Sequence, residues 1–360
     1  MSGEHPFAQF VRIVGRGRHG ARAMTYDEAY AAMRMILAGD CLPEQVGAFL
    51  MLIRVREETA EELAGFVAAV RETIQAPGGV PPVRIDWPSY AGKRRHLPWF
   101  LLAALLVACN GHPVLMHGIA RAGDGRIYAP EALARLGLPV CAALGDAGEA
   151  IRRSNFAYVP LEAFAPRVAG MIGLRALLGL RSPANSIARM LNPLGAPVQL
   201  VGIFHPNYRD VHQQAAAILG AAHLAVLRGE GGEAERNPDV PCLVQTACDG
   251  EERSEEWPAL FSGGRHLKDT ALEIGRLAAV WRGEATDEYG EAAVAGTAAI
   301  ALRALGAAPT IPEAERAPRG GSGRSARRRS YVRRDGESRA PDRHHPAGHP
   351  AGTPPARGGG

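Results

Sequence analysis

The chain has 360 residues, more than a single hydrophobic core usually holds, so its length favours two domains. Its formal charge is +4, but residues 317–360 carry ten Arg against Asp335, Glu337 and Asp342, a net of +7 that leaves about −3 for residues 1–316. This balance excludes a folded body that is basic overall, and any surface for nucleic acid on it must be a local patch.

The N-terminal part predicts a flexible basic arm followed by a small helical domain. Residues 1–24 are short, polar and rich in Arg, which indicates the arm. Thr25 and Glu28 have the spacing of a helix capping box, and Thr59 and Glu62 repeat it. Apolar residues then recur at helical spacing, so residues 25–76 are predicted to form three short helices.

Residues 83–310 alternate between short apolar strands and helices. This alternation predicts an α/β domain with a central, largely parallel sheet. Residues 313–360 are rich in Gly, Arg, Pro, Ser and His and poor in large aliphatic residues, so we expect disorder there. A reading-frame shift in a GC-rich gene would produce a segment of the same composition. A genuine disordered tail and a reading-frame artefact therefore both stay open.

The cysteine and hydropathy patterns indicate a cytoplasmic protein without a membrane partner. The five cysteines show no CxxC spacing and no signal peptide precedes them, which is typical of reduced thiols. The apolar run at 97–109 contains Pro98 and is too short to span a bilayer, so it reads as a buried helix.

The turn Gly92-Lys93-Arg94-Arg95 is the strongest candidate for an anion site. It stands just before the buried helix, where unpaired backbone N–H groups and the helix dipole attract negative charge. Lys93, Arg94 and Arg95 are predicted to contact phosphates, with a solvated basic turn as the alternative. Arg residues elsewhere are candidates to extend the patch: Arg121, Arg126, Arg175 and Arg189.

Several segments resemble the anthranilate phosphoribosyltransferase family of glycosyl transferases, over roughly residues 25–310. The most specific is R-A-L-L-G-L-R-S-P-A-N at 175–185, followed by Asn192-Pro193. The resemblance implies a helical domain paired with an α/β domain, and dimers formed through the helical domain. It also places His117, Gly118, Arg175 and Asn192 at positions that contact substrate in the family.

The chain departs from the family pattern where the donor diphosphate and its metal are expected. The glycine-rich turn of relatives is replaced by residues 89–95, which keep one Gly and gain three cations. The adjacent acidic pair for Mg²⁺ becomes Glu233-Ala234-Glu235, so these two carboxylates are weak metal candidates. A metal–diphosphate site needs paired carboxylates and close backbone approach. We therefore expect no cofactor, and Mg²⁺ only if the chain is an enzyme.

Residues 86–95 and 229–238 resemble a divergent, YbiB-type branch whose members bind nucleic acids. On this resemblance we predict a cytoplasmic, non-catalytic homodimer that binds single-stranded or duplex nucleic acid without sequence preference. The alternative is a phosphoribosyltransferase with an altered donor or acceptor, favoured by the retained Arg175, Asn185 and Asn192-Pro193. A scaffold that binds an acidic protein is a third hypothesis.

Overall fold

The computed structural model describes residues 3–17, 19–120, 125–263, 266–269 and 271–317. The N-terminal part is helical and consists of α1 (Ala8–Gly15), α2 (Tyr26–Ala38), α3 (Pro43–Arg56) and α4 (Ala60–Arg71). Both predicted capping boxes are present, at the starts of α2 and α4.

The prediction of a flexible arm at 1–24 is wrong for its central part, because α1 lies within it. Phe7 and Phe10 are buried, and the ring of Phe7 meets that of Phe49 in α3 edge-on at 5.2 Å. Burial of two aromatic side chains stabilises a helix that is too short to be stable in isolation. Arg18 lies outside the described residues.

The remainder of the described chain alternates between strands and helices. The strands are β1 (Ile85–Ser89), β2 (Val114–Gly118), β3 (Phe156–Pro160), β4 (Val198–Ile203), β5 (His223–Arg228), β6 (Cys242–Cys248) and β7 (Glu251–Trp257). The helices are α5 (Trp99–Cys109), α6 (Ala129–Leu136), α7 (Ala147–Ser154), α8 (Pro166–Gly173), α9 (Arg175–Leu178), α10 (Ala184–Arg189), α11 (Asn207–Ile218), α12 (Ile274–Arg282), α13 (Glu288–Ala304) and α14 (Ile311–Arg316).

One sheet has the strand order β3-β2-β1-β4-β5-β6-β7. The first five strands in this order are parallel, whereas β6 and β7 are antiparallel. This confirms the predicted fold class, a helical N-terminal domain followed by an α/β domain with a mostly parallel sheet. The hairpin β6–β7 was not predicted, although its turn, Asp249-Gly250, has positive φ at both residues and is a typical hairpin signal.

Two hydrophobic clusters cover the two faces of the sheet. One joins the N-terminal helices to the face near α8, α10 and α11, and the other surrounds α5 and α13. Helix α5 is apolar on all sides and buried from Trp99 to Ala108, as expected for a helix enclosed in a core. A Cβ at Gly290 of α13 would lie 2.5 Å from the Trp99 ring, so glycine permits this close helix contact.

The predicted disorder at 313–360 is wrong for its first residues, which belong to α14. Ala314 is buried, and Glu315 pairs with the buried Arg236 at 2.8 Å, which fixes this helix to the domain. Residues 318–360 lie outside the described part of the chain. Within the described ranges, no helix has the length and apolar character needed to cross a membrane. The five cysteines are free thiols.

Candidate active site

Two loops meet at the carboxyl edge of the parallel strands. The turn 90–96 follows β1, and the loop 229–235 follows β5, so β4 lies between the strands that carry them. Ligands of open α/β sheets bind at this edge. The turn is also fixed from the other side, because Lys93 and Ile127 exchange two backbone hydrogen bonds of 2.9 and 2.8 Å.

The backbone N–H groups of the turn bind an anion, as predicted, but the anion is a carboxylate of the chain itself. Glu233 Oε1 accepts hydrogen bonds of 2.7 Å from both Ala91 N and Gly92 N. Gly92 has a φ of +66°, and a Cβ there would lie 3.0 Å from the Tyr128 ring. The glycine therefore permits a turn that points two amides at one carboxylate.

Lys93 does not face solvent, so the prediction that it contacts an external phosphate is wrong. Its side chain is 1 % exposed, and Nζ lies 2.5 Å from Glu235 Oε1 and 3.0 Å from Glu230 Oε2. Burial by itself would lower the pKa of Lys93, but the two carboxylates outweigh it and the pKa is raised. The ammonium stays charged because it is enclosed by opposite charges.

Arg94 and Arg95 have exposed side chains, and their backbone groups are already bound. Glu230 Oε1 accepts from Arg95 N at 2.8 Å and from Arg94 N at 3.4 Å. Glu235 Oε2 accepts from Phe100 N at 2.7 Å and so occupies the N-terminus of α5. Three glutamates of one loop therefore hold the amides that the sequence assigned to a ligand.

Arg126, Arg181 and Arg189 lie against Gly231 and Gly232 beside this turn, and Arg175 is close enough to Arg181 to complete a cluster of four arginines. Arg126 Nη1 donates to Ala91 O and Gly92 O, and Arg181 Nη1 donates to Gly231 O at 3.3 Å. Burial, reinforced by the charges of Arg189, Arg126 and Arg175, lowers the pKa of Arg181 to about 10. The structure thus brings Arg126, Arg175 and Arg189 together, adds Arg181, and leaves Arg121 outside the described residues.

Arg189 is buried and directed at backbone carbonyls. Its Nη1 donates to Asn185 O at 2.7 Å and its Nε donates to Gly202 O at 3.0 Å. Burial lowers the pKa of Arg189, partly offset by Glu233. These contacts fix α10 to β4, so Arg189 contributes positive charge to the cluster without offering a free guanidinium to a nucleic acid.

His117 and Gly118 lie at the end of β2, and their contacts there are structural. Tyr90 Oη donates to His117 Nδ1 at 2.6 Å, and His117 Nε2 donates to Asp86 Oδ2 at 3.3 Å, all within the core. A Cβ at Gly118 would lie 1.9 Å from Ser89 O, so glycine is required where β1 and β2 pair. Asn192 likewise binds the backbone of Ala196 through both ends of its amide, with 2.8 Å bonds that hold a loop residue at a φ of +46°.

The glutamates do not form a free site for Mg²⁺ in this arrangement. Lys93 Nζ lies between Glu230 and Glu235, where a cation bound by two carboxylates would lie, and Glu233 Oε1 is held by two amides. Glu233 Oε2 is buried without a hydrogen-bond partner, but one oxygen is too few for a cation that takes about six. Among the described residues there is no cluster of three His, Cys, Asp or Glu suited to a metal.

Comparison with known proteins decides the family. Residues 9–74 match the model of the helical bundle domain of a glycosyl transferase family. An anthranilate phosphoribosyltransferase from Anaeromyxobacter sp. (strain Fw109-5) is 32 % identical over 307 residues, which cover 80 % of this chain and 87 % of that protein. The chain belongs to the anthranilate phosphoribosyltransferase family. The enzyme of the same name from Beijerinckia indica is 33 % identical over 256 residues, or 68 % of this chain and 71 % of the relative.

Solved structures of the family share the fold. The enzyme from Thermus thermophilus superposes with a TM-score of 0.74 at 24 % identity, covering 92 % of this chain and 98 % of that one. The enzyme from Saccharomyces cerevisiae, in complex with PRPP and Mg, gives a TM-score of 0.72 at 15 % identity and covers 93 % and 99 %.

These relatives overturn the prediction of a non-catalytic nucleic-acid binder. Each relative is an anthranilate phosphoribosyltransferase, and the similarity covers most of this chain. The comparison therefore favours the enzymatic alternative. The physical basis of the prediction also fails, because Lys93 is enclosed by glutamates and Arg189 binds carbonyls. The expectation that no cofactor is involved is likewise not supported, since the yeast relative binds Mg with PRPP.

Arg181 and Glu230 are the site residues that the sequence did not single out. Arg181 stands in the segment 175–185 that carries the family resemblance, and its place there was the available signal. Glu230 stands one residue before the glycine pair of its loop. No spacing in the sequence indicated that it would reach the turn 135 residues away.

Proposed function

We propose that the protein is a phosphoribosyltransferase with an altered donor site, transferring a phosphorylated pentose to an acceptor at the carboxyl edge of β1, β4 and β5. The observation that carries the proposal is the arginine cluster around Gly231 and Gly232. The relatives' activity supports the reaction class. The chain's own departures from the family pattern support the change of donor.

The arginine cluster holds more positive charge than nearby carboxylates balance. The negative charge of Glu233 acts on Arg189. The side chain of Arg175, by contrast, has no hydrogen bond or ion pair within the described ranges, although its charge acts on Arg181. Three neighbouring arginines help burial to lower the pKa of Arg181, and a guanidinium in such surroundings gains free energy when a polyanion binds beside it. A donor with phosphate groups supplies that charge, and positioned guanidinium groups stabilise the negative charge that develops on a leaving phosphate.

The turn at Ala91 and Gly92 makes this donor site different from an open phosphate cradle. A phosphate that used both amides would first have to displace Glu233 Oε1. We therefore place the donor phosphates against Arg175 and Arg181, with Arg126 at the rim. Because the glutamates here do not fit a magnesium site, no step of the transfer is assigned to a metal held by them.

The proposal is tested by thermal stabilisation and by product formation. Phosphoribosyl pyrophosphate, with and without Mg²⁺, is added to the full chain, and a pentose 1-phosphate is tested in parallel. We expect at least one donor to raise the melting temperature and to release its leaving group when aromatic and heterocyclic amine acceptors are supplied. Absence of both effects at saturating donor would overturn the proposal.

Two arginine variants, one inside the cluster and one outside it, test where the donor binds. Arg175→Ala should abolish the stabilisation by donor. Arg135→Ala, an exposed residue of α6 away from the loops, should leave it unchanged. Equal loss in both variants would contradict the assigned position.

We propose that the chain lies in a divergent branch of the family, because residues 86–95 and 229–238 carry its departures. We also propose a homodimer through the helical domain, supported by the exposed apolar side chains of Leu42 and Val55 in and beside α3. Light scattering of the wild type against Val55→Glu tests the dimer, which the variant should weaken.

A further inference from the structure

Residues 266–269 form a strap that lies against the turn preceding α5 and is fixed at both ends. At one end His266 binds the carboxylate of Asp239 twice, through its backbone N–H at 3.0 Å and through its ring Nδ1 at 2.6 Å. At the other end Asp269 N donates to a backbone carbonyl of the turn at 2.9 Å. Leu267 between them is 91 % exposed, so polar contacts at the two ends hold the strap and burial of its centre does not.

The Asp269 end is held by contacts that do not depend on a histidine cation. Arg276 Nη2 donates to Asp269 Oδ1 at 2.5 Å, and Leu97 N donates to Oδ2 at 3.2 Å. His96 Nδ1 lies 4.0 Å from the same Oδ2, but burial, reinforced by the charge of Lys93, lowers the pKa of His96 below its ordinary value of 6.5. This end therefore stays bound as the pH rises from 6.5.

The His266 end depends on a proton. A carboxylate only accepts hydrogen bonds, so the bond to Asp239 places a proton on Nδ1, and Nε2 is the nitrogen that titrates. Nε2 lies 3.9 Å from Glu288 Oε2 at the start of α13. With Nε2 protonated, the ring is a cation between two carboxylates. When that proton leaves, the Nδ1 bond remains but the attraction between opposite charges is lost.

The remaining sides of the His266 ring meet two aromatic rings. The centroid of the Phe261 ring lies 4.6 Å away and that of Tyr289 lies 5.7 Å away. Burial raises the pKa of Tyr289, so its hydroxyl stays neutral. The hydrogen bond to Asp239, supported by the charge of Glu288, raises the pKa of His266 above its ordinary value of 6.5. The attraction is therefore present below pH 6.5 and is lost as the pH rises through the raised pKa.

We infer that the strap is a pH-sensitive element of the fold: both of its ends are bound while His266 is protonated, and the His266 end detaches as this proton is lost. Asp269 keeps the other end on the turn, so the change is local and does not unfold the domain. The inference does not depend on the proposed transfer activity, because its consequence is a change in how accessible the strap itself is.

The two lysines of the chain provide the measurement, because Lys93 is buried and Lys268 is exposed within the strap. Endoproteinase Lys-C cuts after lysine and not after the neighbouring Arg265, which lies outside the described residues. It needs the segment around its target to detach from the fold, so cutting at Lys268 reports release of the strap and cutting at Lys93 reports global unfolding.

The full chain and a synthetic peptide of residues 263–272 are digested at pH 6.5 and at pH 8.5. The peptide gives the pH dependence of the protease itself. Relative to the peptide, cutting of the full chain at Lys268 should be at least about fivefold faster at pH 8.5 than at pH 6.5, while Lys93 stays uncut. An unchanged ratio, or cutting at Lys93 as fast as at Lys268, overturns the inference.

His266→Gln keeps an N–H donor for Asp239 but carries no charge at any pH. At pH 6.5 its Lys268 should be cut at least about fivefold faster than that of the wild type, and at pH 8.5 the two rates should agree within about twofold. His19→Gln, which changes an exposed histidine, should match the wild type at both pH values.

Equal cutting of the wild type and His266→Gln at pH 6.5 overturns the inference, and so does an equal effect of His19→Gln. If His266→Gln does not fold, which cutting at Lys93 would reveal, the comparison of the wild type with the peptide decides.

Discussion

Lys93 Nζ lies 2.5 Å from Glu235 Oε1 in the interior, although the two residues are 142 positions apart in the sequence. Glu235 also accepts from Phe100 N, so this pair joins the turn after β1, the loop after β5 and the start of α5. The turn that the sequence assigned to an external anion is thus organised by an internal ion pair. Removing one partner of such a pair is costly, because the other charge stays buried.

Lys93→Met should lower the free energy of unfolding by about 3–5 kcal/mol, because Glu230 and Glu235 lose their cation. Urea denaturation measures this, with Arg94→Met, an exposed neighbour, as the control that stays within about 0.5 kcal/mol. The double variant Lys93→Met, Glu235→Gln should recover much of the loss, since the amide oxygen still accepts from Phe100 N. A loss of less than about 1 kcal/mol in the single variant would contradict the pairing.

Lys93→Ala should make stability depend on magnesium. Without the ammonium, Glu230 and Glu235 face a space that suits a small divalent cation, whereas in the wild type Lys93 fills it. Mg²⁺ at 100 times its Kd would add about 2.7 kcal/mol to the variant. The measurement is the melting temperature in MgCl₂ against NaCl of equal ionic strength, and equal shifts in variant and wild type would refute the prediction.

Glu233→Ala should open the turn to external anions. Ala91 N and Gly92 N lose their acceptor, which should cost about 1–3 kcal/mol in unfolding free energy. Inorganic diphosphate should then stabilise this variant more than the wild type, because it takes the place of the carboxylate. Glu252→Ala, an exposed glutamate of β7, is the control, and an equal diphosphate effect in all three proteins would show that the amides stay closed.

His212 should make the protein less stable in acid. Burial lowers its pKa to about 4, below the ordinary value of 6.5, so the unfolded chain takes up the proton first. Stability is therefore complete above pH 6.5 and falls as the pH drops towards 4, by about 2–3 kcal/mol in total from this group. The difference in unfolding free energy between wild type and His212→Gln at pH 7.5 and pH 4.5 measures it, and a difference that does not change with pH would disprove it.

Gly118→Ala should disrupt the pairing of β1 with β2, because the added Cβ would lie 1.9 Å from Ser89 O. Relieving this clash moves backbone, so we expect a loss of more than about 2 kcal/mol. Gly170→Ala, where nothing lies within 4 Å in α8, should instead be neutral or stabilising by up to about 1 kcal/mol. Circular dichroism melting curves of the two variants give the comparison, and a stable Gly118→Ala protein would rule out the close approach.

Local sequence signals predicted the fold where a helix or strand carries its own pattern. The capping residues Thr25 and Thr59 fix helix starts by hydrogen bonds within four residues, and strand–helix alternation requires a largely parallel sheet. The arm at residues 1–24 was predicted wrongly because α1 is stabilised by contacts of Phe7 with Phe49, which no local pattern records.

The sequence by itself determined the two-domain α/β architecture, the family and an anion-binding turn at Gly92, because these depend on local periodicity and on motifs. Only the tertiary structure decided which anion the turn binds. Glu230, Glu233 and Glu235 reach it from a loop more than 130 residues away, since parallel strands place their carboxyl ends at one edge. Because the glutamates bury the turn, Lys93 is a cation enclosed by carboxylates and not one that faces solvent, as its sequence context suggested.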